Sequence, residues 1–176
     1  MKKWLKKTLV ASTLASFAFT LASCGGYNFY SDFKSAGAVI EKSNVFTVLT
    51  VDEVQEKISN KETFAVFFGS STDATTVSDV SAIQYDADVT NYTGKVYFVD
   101  TTAMKNNTTK QKDMEKKMKT NSLPTCLGCI AYVNGEQEFD TSEESNSFVE
   151  DNLQNSGSTD IHMIAAYVFL HYPVEK

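Results

Sequence analysis

The run "TFAVFFGS" at 63–70 constrains this chain more than any other stretch. It offers no polar face, so a strand made from it must be covered on both sides. Such a strand needs helices above and below the sheet, and the neighbouring sequence supplies them. "TVDEVQEKISN" at 50–60 opens with Thr50 and carries Glu53 three residues later, the reciprocal capping pair of a helix start. Val51, Val54 and Ile58 then share one helical face. After the apolar run, Val77, Val80 and Ile83 or Gln84 set the period of a helix over 74–85. "VFTVLT" at 45–50 and "KVYFVDTT" at 95–102 read as further strands. "TTKQKDMEKKMKT" at 108–120 reads as a helix with Met114 and Met118 on its apolar side.

"SLPTCLGCIAYVNGEQEFD" at 122–140 has two strand-like runs around Asn134-Gly135, the strongest short hairpin signal. The predicted order is β-α-β-α-β-α-β-β, followed by helical material. That is an α/β fold with a central mixed sheet flanked by helices. The tail carries a candidate helix over 141–154, capped by Ser142. At 158–172, Asp160 is a candidate N-cap, and Ile161, Ile164, Ala165, Val168, Phe169 and Tyr172 follow a helical period. The β-branched and aromatic content there also suits a strand. The period favours a helix packed on the sheet. Residues 25–44 show no steady period and read as a tether, with a short element around 27–33.

The beginning of the chain reads as a secretory leader. "MKKWLKK" supplies Lys2, Lys3, Lys6 and Lys7, and an uncharged, mostly apolar segment of 16 residues follows at 8–23. A spanning helix needs about 20 residues. "LASC" at 21–24, followed by Gly25 and Gly26, resembles the lipobox of bacterial lipoproteins. The resemblance implies a signal peptide over 1–23 cut before Cys24, with diacylglycerol on Cys24 and often a further acyl chain such as palmitate. Residues 24–44 would be the lipidated cysteine and tether, and 45–176 the folded domain. The protein would sit at the extracytoplasmic face of the cell membrane, held through its lipid. The competing reading is an ordinary signal peptide in which Cys24 has no role.

Four of the 16 lysines lie in the leader, and all 22 acidic residues follow it. The chain from Cys24 therefore carries 12 positive against 22 negative charges, a balance of −10. Arginine is absent. A nucleic-acid binder needs a basic footprint, so that class is excluded as a partner. The acidic surplus suits a surface-tethered domain that must stay soluble.

The ordered set "TFAVFFGSSTDATT", "KVYFVDTT" and "SLPTCLGCIAYVNGE" resembles the central strand, next strand and proline loop of the thioredoxin-like family. The stretch from "VLTVDEVQEKISNKETFAVFFGSST" is similar to the bacteriocin-transport accessory proteins, small Gram-positive members of that family. The resemblance covers about residues 45–140 and implies a thioredoxin-like fold. It also exposes a departure. The family's C-x-x-C falls on 72–75 or 73–76, and neither window holds a cysteine. Thiol–disulfide exchange needs an attacking thiolate and a resolving thiol, so the chemistry does not survive that loss. Thr72 or Asp73 serves there as a helix N-cap. Pro124 stands at the family's cis-proline position, and the backbone of Leu123 would pair with an extended peptide, which needs no cysteine. The plainer alternative is that Pro124 serves the turn alone. The candidate peptide site is Ser71, Thr72, Asp73, Leu123 and Pro124.

A second C-x-x-C, Cys126 and Cys129, follows the proline. It reads as a relocated redox pair, a candidate disulfide, half a zinc site, or two buried thiols. In a regular strand the two Cα atoms stand about 10 Å apart, beyond disulfide reach, unless Gly128 marks a bulge. Buried thiols are the favoured reading. A zinc site would also need His162 and His171, which lie on opposite faces of any helix over 158–172. No metal and no cofactor is expected. The functional expectation is a lipoprotein with a redox-inactive thioredoxin-like domain that binds a peptide or protein in the envelope. The alternatives are an envelope oxidoreductase using Cys126 and Cys129, and a structural surface protein without a groove.

Overall fold

The computed structural model describes residues 28–120, 127–141 and 161–174. Within them α1 (Phe29–Ser35), β1 (Phe46–Val48), α2 (Val51–Ser59), β2 (Phe64–Gly69), α3 (Ala74–Val89) and β3 (Val96–Asp100) follow in order. They lead to α4 (Thr108–Met118), β4 (Gly128–Val133), β5 (Glu136–Asp140) and α5 (Ile161–His171). The strands form one mixed sheet ordered β1-β3-β2-β4-β5. β3 runs parallel to both β1 and β2; β4 is antiparallel to β2 and to β5.

Local chemistry explains the helix starts. Asn28, Thr50, Asp73 and Asn107 each accept a first-turn N–H through the side chain. Thr50 and Glu53 close the reciprocal box: Glu53 N–H donates to Thr50 Oγ1 at 3.2 Å, and Thr50 N–H donates to Glu53 Oε2 at 2.7 Å. Asn134 and Gly135 turn β4 into β5 with φ of 53° and 77°, as a tight primed turn demands. The tip of that hairpin docks on the end of α2, where Gly135 N–H donates to Glu62 O at 3.1 Å.

Alternation along β2 builds two cores. Phe64, Val66 and Phe68 face α2 and α4 with Val54, Ile58, Met114 and Met118. Ala65 and Phe67 face the opposite layer with α1, α3 and α5. All six β2 residues are buried, as expected for a strand covered on both sides.

Over its described part, 28–44, the segment read as a tether packs on the sheet instead. Phe29 and Phe33, four apart on α1, enter the core, and Ala38 and Ile40 follow them. Phe29 and Phe33 stand 4.6 Å apart, and both meet Phe98 edge-on at 5.0 and 5.5 Å. One turn of helix is enough to carry two phenylalanines onto the sheet. The helix predicted over 74–85 runs on to Val89. Residues 161–171 are helical, which settles the choice between helix and strand there. The sheet irregularity falls between Ala131 and Tyr132, not at Gly128. The leader and Cys24, the residues Leu123, Pro124 and Cys126, and the segment 142–160 with Ser142 and Asp160 lie outside the described residues. Among those described, no helix is long and apolar enough to cross a membrane.

Candidate functional site

The parallel strands β2 and β3 end side by side, and polar residues follow both. Gly69 closes β2 against Asp100 of β3, and Thr101 N–H donates to Gly69 O at 2.8 Å. A side chain at Gly69 has no room, since a Cβ there would stand 2.7 Å from Thr76 Cγ2 and 3.1 Å from Leu127 Cδ1. The chain then turns through 70–73 into α3. Asp73 is the N-cap: its Oδ1 accepts Thr76 N–H at 2.8 Å and Thr76 Oγ1–H at 3.0 Å.

A row of hydroxyls stiffens this turn. Ser70, buried, bonds Thr72 at 2.8 Å and Thr102 at 2.7 Å through its Oγ. Thr102 Oγ1 stands 2.6 Å from Asp100 Oδ1, which also accepts Thr102 N–H at 3.0 Å. A carboxylate oxygen only accepts, so Thr102 gives its proton to Asp100. Ser70 must then donate to Thr102, and Thr72 to Ser70. The donors all run one way, from Thr72 to Asp100. Thr72 Oγ1 is left with acceptor capacity toward solvent, and Thr72 is exposed. Beside it, the N–H groups of Ala74 and Thr75 open α3 and have no intrahelical acceptor, as in any first turn.

The segment that enters β4 is described at its two ends, of which the Leu127 end stands beside this turn. On one side, Thr120 Oγ1 donates to Asp140 Oδ2 at 2.6 Å, and both residues are buried. Lys119 ends α4 in the left-handed region with φ 55°, which redirects the chain toward β5. Tyr132 holds the same place by donating its hydroxyl to Met118 O. On the other side, Leu127 packs at Gly69, and Gly128 pairs with Phe68 near the end of β2. Of the predicted site, Ser71, Thr72 and Asp73 stand together on the turn. Leu123 and Pro124 belong to the segment between Thr120 and Leu127, outside the described residues.

Cys129 lies deeper. It pairs with Phe67 in the sheet, is 1 % exposed and is a free thiol. Burial pushes its pKa well above 9.0, and the nearby Asp140 carboxyl adds to the effect. Burial likewise holds the Tyr132 phenol neutral far into the alkaline range. A thiol raised in this way is the reverse of an activated nucleophile. The two histidines go to separate partners. His162 Nδ1 pairs with Asp86 Oδ2 at 2.8 Å, and the His171 ring lies 4.2 Å from that of Tyr167.

Asp100 and Thr102 were missed by the sequence reading. Their signal was the polar end of "FVDTT". Parallel strands present their carboxyl ends together, and ligands of open α/β sheets gather there. No protein-family model matches this chain, and no curated protein is significantly similar to it.

Proposed function

We propose that this chain is an extracytoplasmic lipoprotein, anchored through Cys24, whose thioredoxin-like domain holds an extended peptide segment of a protein partner without redox chemistry. The observation that carries the reading is the sheet. Its order β1-β3-β2-β4-β5, with β4 antiparallel beside β2, brings the entry to β4 next to the β2–α3 turn. In a thioredoxin-like enzyme that turn would hold the cysteine pair. Here it holds hydroxyls and a capping aspartate. The donor–acceptor pattern fits a peptide backbone. Thr72 Oγ1 can accept an N–H, while the first N–H groups of α3 can donate to a carbonyl. The rival, an oxidoreductase using Cys126 and Cys129, is disfavoured by the buried, high-pKa thiol of Cys129.

The test is capture in the native membrane. A photocrosslinking residue at 71 should trap a partner, and Ser71→Trp should weaken that complex while leaving the melting temperature within a degree or two. Tight binding by Ser71→Trp, with loss of binding from substitutions on α2 or α4, would refute the site. The redox rival has its own assay. Insulin reduction by dithiothreitol that accelerates with the wild type and stops accelerating with Cys129→Ser would revive it.

A further inference from the structure

Of the five large apolar side chains exposed among the described residues, all but Val133 at the end of β4 share one layer. Val39, Tyr85, Val89 and Leu170 are 74, 63, 60 and 75 % exposed, and all four lie in the layer of α1, α3 and α5. Three of them share one line. Val39 N–H donates to Ser81 Oγ at 3.0 Å, and Tyr85 and Val89 follow Ser81 at four-residue steps along α3. Leu170 stands on the outward side of α5, the helix packed beside α3 through His162 and Asp86. On α3 and α5 charge is sparse and acidic, with Asp88 exposed and Asp79 and Asp86 half-buried, while Lys34, Glu41 and Lys42 are exposed on the α1 segment around Val39. On α3 and α5 the exposed residues are Ala74, Thr75, Ser78, Tyr85, Asp88 and Val89, then His162, Ala166, Leu170 and His171. The opposite layer is the reverse. There α2 and α4 expose Asp52, Glu56, Lys110, Lys112, Asp113 and Lys116.

The length of chain outside the described residues indicates what covers this face. Asn28 already caps α1, and Phe29 is in the core. A lipidated Cys24 would be four Cα steps from fixed structure, a reach of about 14 Å. A domain of this length has a radius of gyration of roughly 15 Å, so its leash is no longer than its own radius. It cannot turn freely above the bilayer. The leash also ends in the α1 layer, on the same side of the sheet as α3 and α5. We infer that the outer face of α3 and α5, with Val39 beside it, rests on the lipid bilayer through Val39, Tyr85, Val89 and Leu170. This rests on the reading of Cys24 as the anchor. The acyl chains hold the protein on the membrane, and the face fixes which way it lies. Lysine is absent from α3 and α5, so the contact made by these two helices is apolar. α3 packs along the sheet, so the turn at 70–73 then opens sideways, parallel to the membrane surface.

The only tryptophan is Trp4, in the leader, so the mature chain gives clean single-tryptophan probes. The full lipoprotein, purified from membranes, carries Tyr85→Trp, Leu170→Trp or, on the charged layer, Lys112→Trp. Each is reconstituted into phosphatidylcholine vesicles with and without brominated acyl chains, and mass spectrometry reads the modification of Cys24. The probes at 85 and 170 should shift to shorter wavelength and lose about half their intensity to bromine, as residues seated at the headgroup boundary do. The probe at 112 should do neither. A lipidated chain in which all three probes behave like 112 overturns the docking and leaves the anchor standing. A chain unmodified at Cys24 overturns both. Emission at 85 and 170 that is shifted but unquenched by bromine puts a second copy on the face and also overturns the docking.

Discussion

Replacing Phe33 by alanine tests whether the segment before β1 is part of the fold. Phe33 is 0 % exposed, and its ring meets those of Phe29 and Phe98 at 4.6 and 5.5 Å. Truncating a buried phenylalanine to alanine costs about 3–5 kcal/mol, from lost transfer energy and the cavity left behind. The upper half of that range applies here. The ring is enclosed by the sheet on one side and its own helix on the other, and a seven-residue helix anchored by two phenylalanines has little else to hold it. Global stability for a domain of this kind is about 5–15 kcal/mol, so the loss is a large share of the whole. It corresponds to a fall in Tm of roughly 8–20 °C for a chain near 150 residues. Urea unfolding followed by far-ultraviolet circular dichroism measures it, with the midpoint falling and the slope nearly unchanged. A loss below about 1 kcal/mol would mean that residues 28–44 lie on the domain without belonging to it. The leash from Cys24 to fixed structure would then be longer by those residues.

Gly135→Ala should destabilise by more than about 1 kcal/mol, because φ is +77° and a Cβ would stand 2.3 Å from Ile58 O; an unchanged urea midpoint would refute the docking of the hairpin on α2. Asp73→Ala should cost about 1–2 kcal/mol through the lost cap, and Asp73→Asn much less, since asparagine keeps an acceptor oxygen. Stability should decline at alkaline pH. Burial raises the Cys129 and Tyr132 pKa values above 9.0 and 10.0, so the folded chain keeps protons that the unfolded chain releases. Their contribution is full below about pH 9 and falls by up to about 1.4 kcal/mol per pH unit per group above it. Cys129→Ala should flatten the decline between pH 9 and 10, and an unaltered slope would mean the thiol is not buried as described.

The sheet was legible in the sequence because its signals are local. The apolar run at 64–69, the Thr50–Glu53 box and Asn134-Gly135 each name an element without reference to anything distant. The same holds for Asp73, whose capping role needs only the four residues around it. The segment at 28–44 failed for the opposite reason. Seven helical residues hold fewer than two turns, too short for periodicity to emerge, and Phe29 and Phe33 are recognisable as core only once Phe46 and Phe98 are placed opposite them. Asp100 and Thr102 were obscured in the same way. They look like the ragged end of a strand until the parallel register sets Asp100 beside Gly69. Ser70 was part of the quoted turn, but its burial and its bond to Thr102, 32 residues away, depend on that pairing.

The polarity of this hydroxyl row bears on what the turn can hold. Asp100 sits at one end as an obligatory acceptor, so every proton in the row is committed inward. Had the row ended on a donor such as lysine, the hydroxyls would be free to reverse, and Thr72 could offer a proton to an anion. As built, Thr72 offers only its lone pair, while Ala74 and Thr75 offer N–H groups. An isolated phosphate or carboxylate would find the donors but meet the Thr72 oxygen as a repulsive neighbour. An amide, which carries a donor and an acceptor a few ångströms apart, satisfies both. The negative balance of the domain acts in the same direction, since it repels free anions before they arrive. On the proposed peptide reading, hydrogen-bond polarity and net charge would thus act together, favouring a peptide backbone over the anionic ligands that helix N-termini commonly take.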